Sequence, residues 1–317
     1  MKKLLFYILS LCLIYVYLHN PILALTGIGA IKFLYLLIPF LLVPNAICLI
    51  KQNQNILSCY LIILIYCILI TLVGGSPTFI YTTIVAIIEC FFLPILLFFF
   101  IQKWDVKFHD VLLGVMIVSC LITCLSLFIP SFHLFISNLI VKQDVLIDLM
   151  TYRGFGLSDG LTYGYGVILA LMGGVFLLYL EKYKWIYVLL PILGLSILVN
   201  ARVGGLILIL NILIFCGMNF VKGMKFFALF CVVLYIFSFV NITFESDLTT
   251  DFIKQFFLEL GDFVGGTDNA RGSTADVIFN DFLVWPRTFE EWVVGRGYSV
   301  FLATDNSDIG FIIQLNV

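Results

Sequence analysis

Five arginines stand in segments where a guanidinium is poorly placed unless it has an anion to hold. Its planar fork matches the paired oxygens of a phosphate or carboxylate. Arg153 lies in Tyr152-Arg153-Gly154-Phe155-Gly156-Leu157-Ser158-Asp159-Gly160, just ahead of a glycine-rich apolar run. An anion site at a helix start fits that position, because free backbone N–H groups there add to the arginine. An arginine snorkelling to lipid headgroups fits it as well. Arg202 lies in Asn200-Ala201-Arg202-Val203-Gly204-Gly205, between two apolar runs and with no acid close in sequence. A charge so near hydrocarbon needs a partner or a polar cavity. Arg271, Arg287 and Arg296 share one long polar segment. There Asp268, Asp276, Asp281, Glu290 and Glu291 also offer ordinary surface ion pairs.

For acid–base chemistry the sequence supplies carboxylates. Asp159, Asp276, Asp281 and Asp308 are the candidates, set among the same polar segments as the arginines. The three histidines are less promising: His19 abuts Pro21, His109 falls on the opposite side of the membrane, and His133 fits a structural role. Glu89 is the single acid inside an apolar run, read as near the inner end of that run. An acid inside a span is a functional candidate by default. No phosphate loop, dinucleotide fingerprint, nucleophile elbow or His/Cys metal cluster occurs, so neither a cofactor nor a metal is called for. The nine cysteines all lie in apolar runs at spacings that suit packing, Cys120 and Cys124 among them.

The elements that must carry these residues are set by hydropathy. The chain has 317 residues, is 62% apolar and has a net charge of −2. Its mean hydropathy is +1.15. Apolar runs long enough to cross a bilayer cover residues 4–19, 33–50, 56–73, 80–101, 111–130, 160–180, 185–200, 203–221 and 226–243. A tenth begins near Ile309 and is incomplete at Val317, which is the pattern of a truncated chain. Lys2-Lys3 and the first run read as an uncleaved span, since no small-residue cleavage site follows. The sequence therefore predicts an all-α polytopic membrane protein. It forms one integral membrane domain over residues 1–317, with nine complete spans and a partial tenth.

Orientation follows from the lysines. Counting the gaps alternately from an inner N-terminus places nine lysines inside and all five arginines outside. Fifteen of the 19 acids fall outside too, and the chain lacks the basic footprint of a nucleic-acid binder. Two outer segments are long, 131–159 and 244–308. In the second, Leu248, Phe252, Phe256, Phe257 and Leu260 recur at helical spacing and predict a helix lying on the membrane surface. Shorter helices are predicted over Thr274–Leu283 and from the Thr288/Glu291 capping pair to Gly295. Gly160 with Gly164, and Gly166 with Ala170, have the spacing of close helix packing.

Three segments resemble the O-antigen and capsular polysaccharide polymerases (Wzy-type), a family related to the O-antigen ligases. They are Arg153-Gly-Phe-Gly-Leu-Ser-Asp opening a span, Asn200-Ala-Arg-Val-Gly-Gly between two spans, and Val294-Gly-Arg-Gly-Tyr followed by Asp305-Asn-Ser-Asp308. The resemblance covers residues 150–317 by motif and the rest by hydropathy. It implies a multi-pass protein of the bacterial cytoplasmic (inner) membrane, acting on oligosaccharide repeat units carried by polyprenyl diphosphate. The growing chain moves to a sugar hydroxyl, and polyprenyl diphosphate leaves. Arg153, Arg202, Arg271 and Arg296 are then the substrate-binding set, expected to converge on one outer cavity. Asp159, Asp276 or Asp308 is then the base, and Trp285, Trp292 and Tyr298 offer faces for sugar stacking. Partners implied are the lipid-linked oligosaccharide, membrane lipids, a chain-length regulator and a flippase. Two departures matter. The ligases use a histidine in the large outer loop, and none occurs between His133 and Val317; the chain also ends before the family's last spans are complete. A ligase-like glycosyltransferase, a lipid-linked oligosaccharide flippase and a non-catalytic assembly subunit are the competing readings.

Overall fold

The structure, a computed structural model, describes residues 2–24, 26–72, 77–140, 156–158, 162–178, 186–200 and 202–221, with Met224 and Ala228. Among these residues every regular element is helical, apart from two isolated bridges, Ile22 with Gly29 and Leu23 with Ile140. The helices are α1 (Lys2–His19), a 3-10 helix (Ala30–Leu42), α2 (Pro44–Gln52), α3 (Gln54–Leu72) and α4 (Thr78–Lys103). They continue with α5 (Phe108–Phe128), α6 (Pro130–Leu139), α7 (Thr162–Leu178), α8 (Ile186–Asn200) and α9 (Arg202–Met218).

Among the described residues three helices, or four if a bent pair is one span, are long and apolar enough to cross a membrane; several of the nine spans expected fall outside those residues or on shorter helices. The three are α1, α4 and α5, and the 3-10 helix with α2 is the bent pair. The apolar stretches of α3, α7 and α9 are shorter, covering Gln54–Leu69, Gly164–Leu177 and Gly204–Met218. The span expected over 33–50 is broken at Val43, where the axis turns by 99°. Pro39 and Pro44 explain the break, since neither donates a backbone N–H and Pro44 suits the first position of a new helix. The spans expected over 226–243 and from Ile309, and the loop helices of 244–308, lie outside the described residues. Part of the outer segment 131–159 is helical, as α6.

α4 corrects the reading of Glu89. The helix runs unbroken for 26 residues, so Glu89 sits near its middle, about 16 Å along the axis from Thr78. A π-turn over Ile88–Phe92 includes it.

Contacts group the chain into two compact units, Met1–Pro39 with Leu96–Phe256, and Phe40–Ile95 with Phe257–Val317. In the second, α3 packs on the first part of α4, with Cys67 Sγ 3.3 Å from Thr83 Oγ1. The first unit holds the larger core. α7 packs against α8 and α9, and α1 against α5. Ile14, Val111, Met116, Leu169, Phe176, Leu193, Ile197 and Leu208 fill the space between them.

Small residues let these helices approach closely, as they do in membrane bundles. A Cβ on Gly204 of α9 would sit 2.7 Å from the backbone carbonyl of Gly166 of α7. One on Gly173 would meet Leu193 at 2.8 Å. Asn211 donates a 3.1 Å hydrogen bond from α9 to the Ala170 carbonyl of α7. Of the glycines expected at close contacts, Gly166 makes the one with Gly204, while Gly164 has nothing within 4 Å of its Cβ position.

Candidate functional site at the outer helix ends

α1 ends where its sequence stops it. Asn20 takes a left-handed conformation (φ 40°), Pro21 follows, and the Asn20 side chain accepts the N–H of Ile31 at 2.9 Å. The last helical residue, His19, is thereby held inside the bundle, 2% exposed. Its Nε2 lies 3.0 Å from Ser119 Oγ of α5, and its Nδ1 has no hydrogen-bond partner among the described residues. The imidazole packs between two phenol rings, Tyr15 and Tyr165, each with its centroid 4.6 Å away.

The two tyrosines carry the network outward. Tyr165 donates to the Ser119 carbonyl at 2.7 Å, and Thr123 Oγ1 lies 3.4 Å from the Tyr165 oxygen. Tyr15 donates to the Leu157 carbonyl at 3.0 Å. Beside it, Gly156 lies so close to the Tyr165 ring that a Cβ would fall 2.5 Å from it. Ser119, Thr123, Ser126 and Ser158 are all buried nearby on these elements. In the topology the lysines predict, this polar cluster lies at the outer end of the first unit.

α7 and α9 enter this region side by side. Gly166 is close to the start of α7 and Gly204 to the start of α9, so the Gly166–Gly204 contact places two helix N-termini next to each other. Arg202 is the first residue of α9, directly after α8 ends at buried Asn200, whose Nδ2 donates to the Ser196 carbonyl at 2.8 Å. A helix start carries free N–H donors and partial positive charge. Two such starts side by side favour an anion between them.

Of the residues predicted for the site, Arg202 is described by its backbone alone, as the first residue of α9. Arg153, Asp159, Asp276, Asp308, Arg271, Arg296 and Trp292 lie outside the described residues, so their expected convergence with Arg202 lies outside them too. Gly156, Leu157 and Ser158, which stand between Arg153 and Asp159 in sequence, are packed on Tyr15 and Tyr165. Sequence reasoning passed over His19. Two spacings held the signal: Tyr15 and His19 are one turn apart, and Ser119, Thr123 and Ser126 share a face of α5. Among the described residues no three His, Cys, Asp or Glu side chains gather to hold a metal ion.

The fold and this arrangement define an all-helical protein with helices long and apolar enough to cross a membrane and a buried polar cluster in its first unit. No protein-family model, curated protein or solved structure matches the chain.

Proposed function

We propose that this protein is a polymerase of the bacterial cytoplasmic membrane. It joins polyprenyl-diphosphate-linked oligosaccharide repeat units into a surface polysaccharide at the membrane's outer face. The observation that supports this most directly is the Gly166–Gly204 contact, which sets two helix N-termini together, one of them opened by Arg202. Donors of that kind suit a diphosphate, whose several anionic oxygens exceed what one guanidinium satisfies. The sequence adds Arg153 ahead of α7, and Arg271 and Arg296 further on.

In this reading the arginines bind the donor and offset the charge that grows on the departing polyprenyl diphosphate. The acceptor sugar's hydroxyl attacks the anomeric carbon, the glycosyl–phosphate bond breaks, and the hydroxyl proton passes to a carboxylate. Asp159, Asp276 and Asp308 are the candidates for that base. Trp292 stacks on a sugar ring. A flippase delivers the substrate, and a chain-length regulator binds nearby.

Deletion of the gene in its host, followed by electrophoresis of the surface glycan, tests the proposal. Anchors bearing a single repeat unit are expected. Anchors with no unit at all would instead indicate a flippase, and free lipid-linked polymer a ligase.

A further inference from the structure

We propose that one end of the first unit is a binding surface for the phosphate of an anionic phospholipid, formed by Lys2, Lys103 and Lys107 around Trp104. The start of α1 is fastened there to the turn between α4 and α5. Lys3 Nζ lies 3.0 Å from Asp105 Oδ2. The Phe6 and Trp104 rings stack, with centroids 5.4 Å apart and planes 6° from parallel, and the Phe100 ring also lies 5.4 Å from Trp104. Tyr7 donates to the Asp110 carbonyl at 3.0 Å. These contacts gather into one patch lysines that lie about a hundred residues apart in the chain. Lys2 adjoins Lys3, and Lys103 and Lys107 stand two residues to either side of Asp105.

The patch has cations to spare. Lys2, Lys3, Lys103 and Lys107 are all exposed. Its acids are already engaged: Asp105 holds Lys3, and Asp110 Oδ1 lies 3.2 Å from His109 Nε2. Among the described residues Lys2, Lys103 and Lys107 make no ion pair. The Lys103 ammonium lies 5.8 Å above the Phe99 ring, which leaves its charge uncancelled. Lys32 differs: it stands elsewhere on the chain, and its ammonium donates to the Tyr35 hydroxyl at 2.8 Å.

Unpaired lysines beside a half-buried indole suit the headgroup layer of a bilayer. Tryptophan is stable at that depth, and clusters of four or more basic residues next to a span attract anionic lipid. Lysine is a compact point charge on a flexible stem. It can follow a mobile phosphodiester, where an arginine fork would fix one geometry.

Titration of the purified full-length protein with phosphatidylglycerol and with phosphatidylcholine of the same acyl chains, read by native mass spectrometry, tests this. Phosphatidylglycerol should bind more tightly. Lys103→Gln and Lys107→Gln should each weaken it about fivefold, the scale of one lysine at an anionic surface, and leave phosphatidylcholine unchanged. Lys103→Arg should retain it. Lys32→Gln should alter neither lipid. Lys2→Gln gives the same readout as the other two should either fail to accumulate. Equal affinity for the two lipids, or unchanged phosphatidylglycerol binding in the glutamine variants, overturns the site. A matching loss in Lys32→Gln overturns it too, because net charge alone would then account for the binding. Inorganic phosphate is the third probe. If it displaces phosphatidylglycerol at millimolar concentration, the patch takes a free anion and the lipid assignment falls.

Discussion

The backbone of Gly166 occupies the space that any side chain on Gly204 would need: the carbonyl lies 2.7 Å from where the Cβ would be. Backbone cannot move aside as a flexible side-chain end can. Gly204→Ala should therefore push α7 and α9 apart, at a cost of about 1–3 kcal/mol. Gly164→Ala, two residues from Gly166, meets open space, and should be neutral or gain up to about 1 kcal/mol from helix propensity. Thermal unfolding of the purified protein in detergent should separate the two variants. Equal midpoints would contradict the close contact.

Arg202 should resist even its mildest replacement. Lysine keeps the charge but loses the two-pronged geometry that grips a phosphate. Arg202→Ala is expected to cost about 3–4 kcal/mol of transition-state stabilisation, the scale measured for single charge-stabilising donors. Arg202→Lys should fall nearer alanine than wild type. Polymer yield at matched expression measures both, and near-normal yield in Arg202→Lys would remove the bidentate role.

Tyr165→Phe deletes the hydroxyl that donates to the Ser119 carbonyl at 2.7 Å and lies 3.4 Å from Thr123 Oγ1. In a site this buried the expected loss is about 1–3 kcal/mol, read as a lower unfolding midpoint. Ser119→Ala leaves that carbonyl in place but removes the His19 Nε2 contact. A cycle of the two should show coupling, because both act on the same imidazole and phenol pair.

The orientation is open to a direct check. Ser131 follows α5 and Gln52 ends α2, and both are exposed; the lysine distribution predicts the first outside and the second inside. In a cysteine-free background, Ser131→Cys should react with an impermeant thiol reagent in intact cells. Gln52→Cys should react only after the membrane is opened. The reverse pattern would invert the topology and place the polar cluster at the inner face.

Hydropathy marked α1, α3 and α5 to within a few residues, because an apolar run flanked by lysines leaves little choice of structure in lipid. It did not reveal the break at Val43. A hydropathy window averages over Pro39 and Pro44, whereas the backbone responds to each missing N–H donor. The depth of Glu89 was misread although the span itself was bounded well: residue 89 lies near the middle of the expected run 80–101 as it does of the helix Thr78–Lys103. At the site, the glycines of Asn200-Ala-Arg-Val-Gly-Gly were legible as a motif but not as a packing surface. Gly204 acquires that role only through Gly166, a residue of another helix. His19 was dismissed for its neighbour Pro21. Yet Pro21 and left-handed Asn20 are what stop α1 there and leave the imidazole facing Ser119.

The contacts of α1 also impose an order in time. His19 meets Ser119 a hundred residues later in the chain, and Tyr15 meets Leu157 after 142 residues. At roughly 5–20 residues per second of synthesis, the first helix enters the membrane on the order of ten seconds before its last partner exists. Through that interval an imidazole and a phenol must be hydrated at the bilayer surface or sheltered by the insertion machinery. The polar end of α1 therefore finds its partners only once Leu157 and, in α7, Tyr165 have been made.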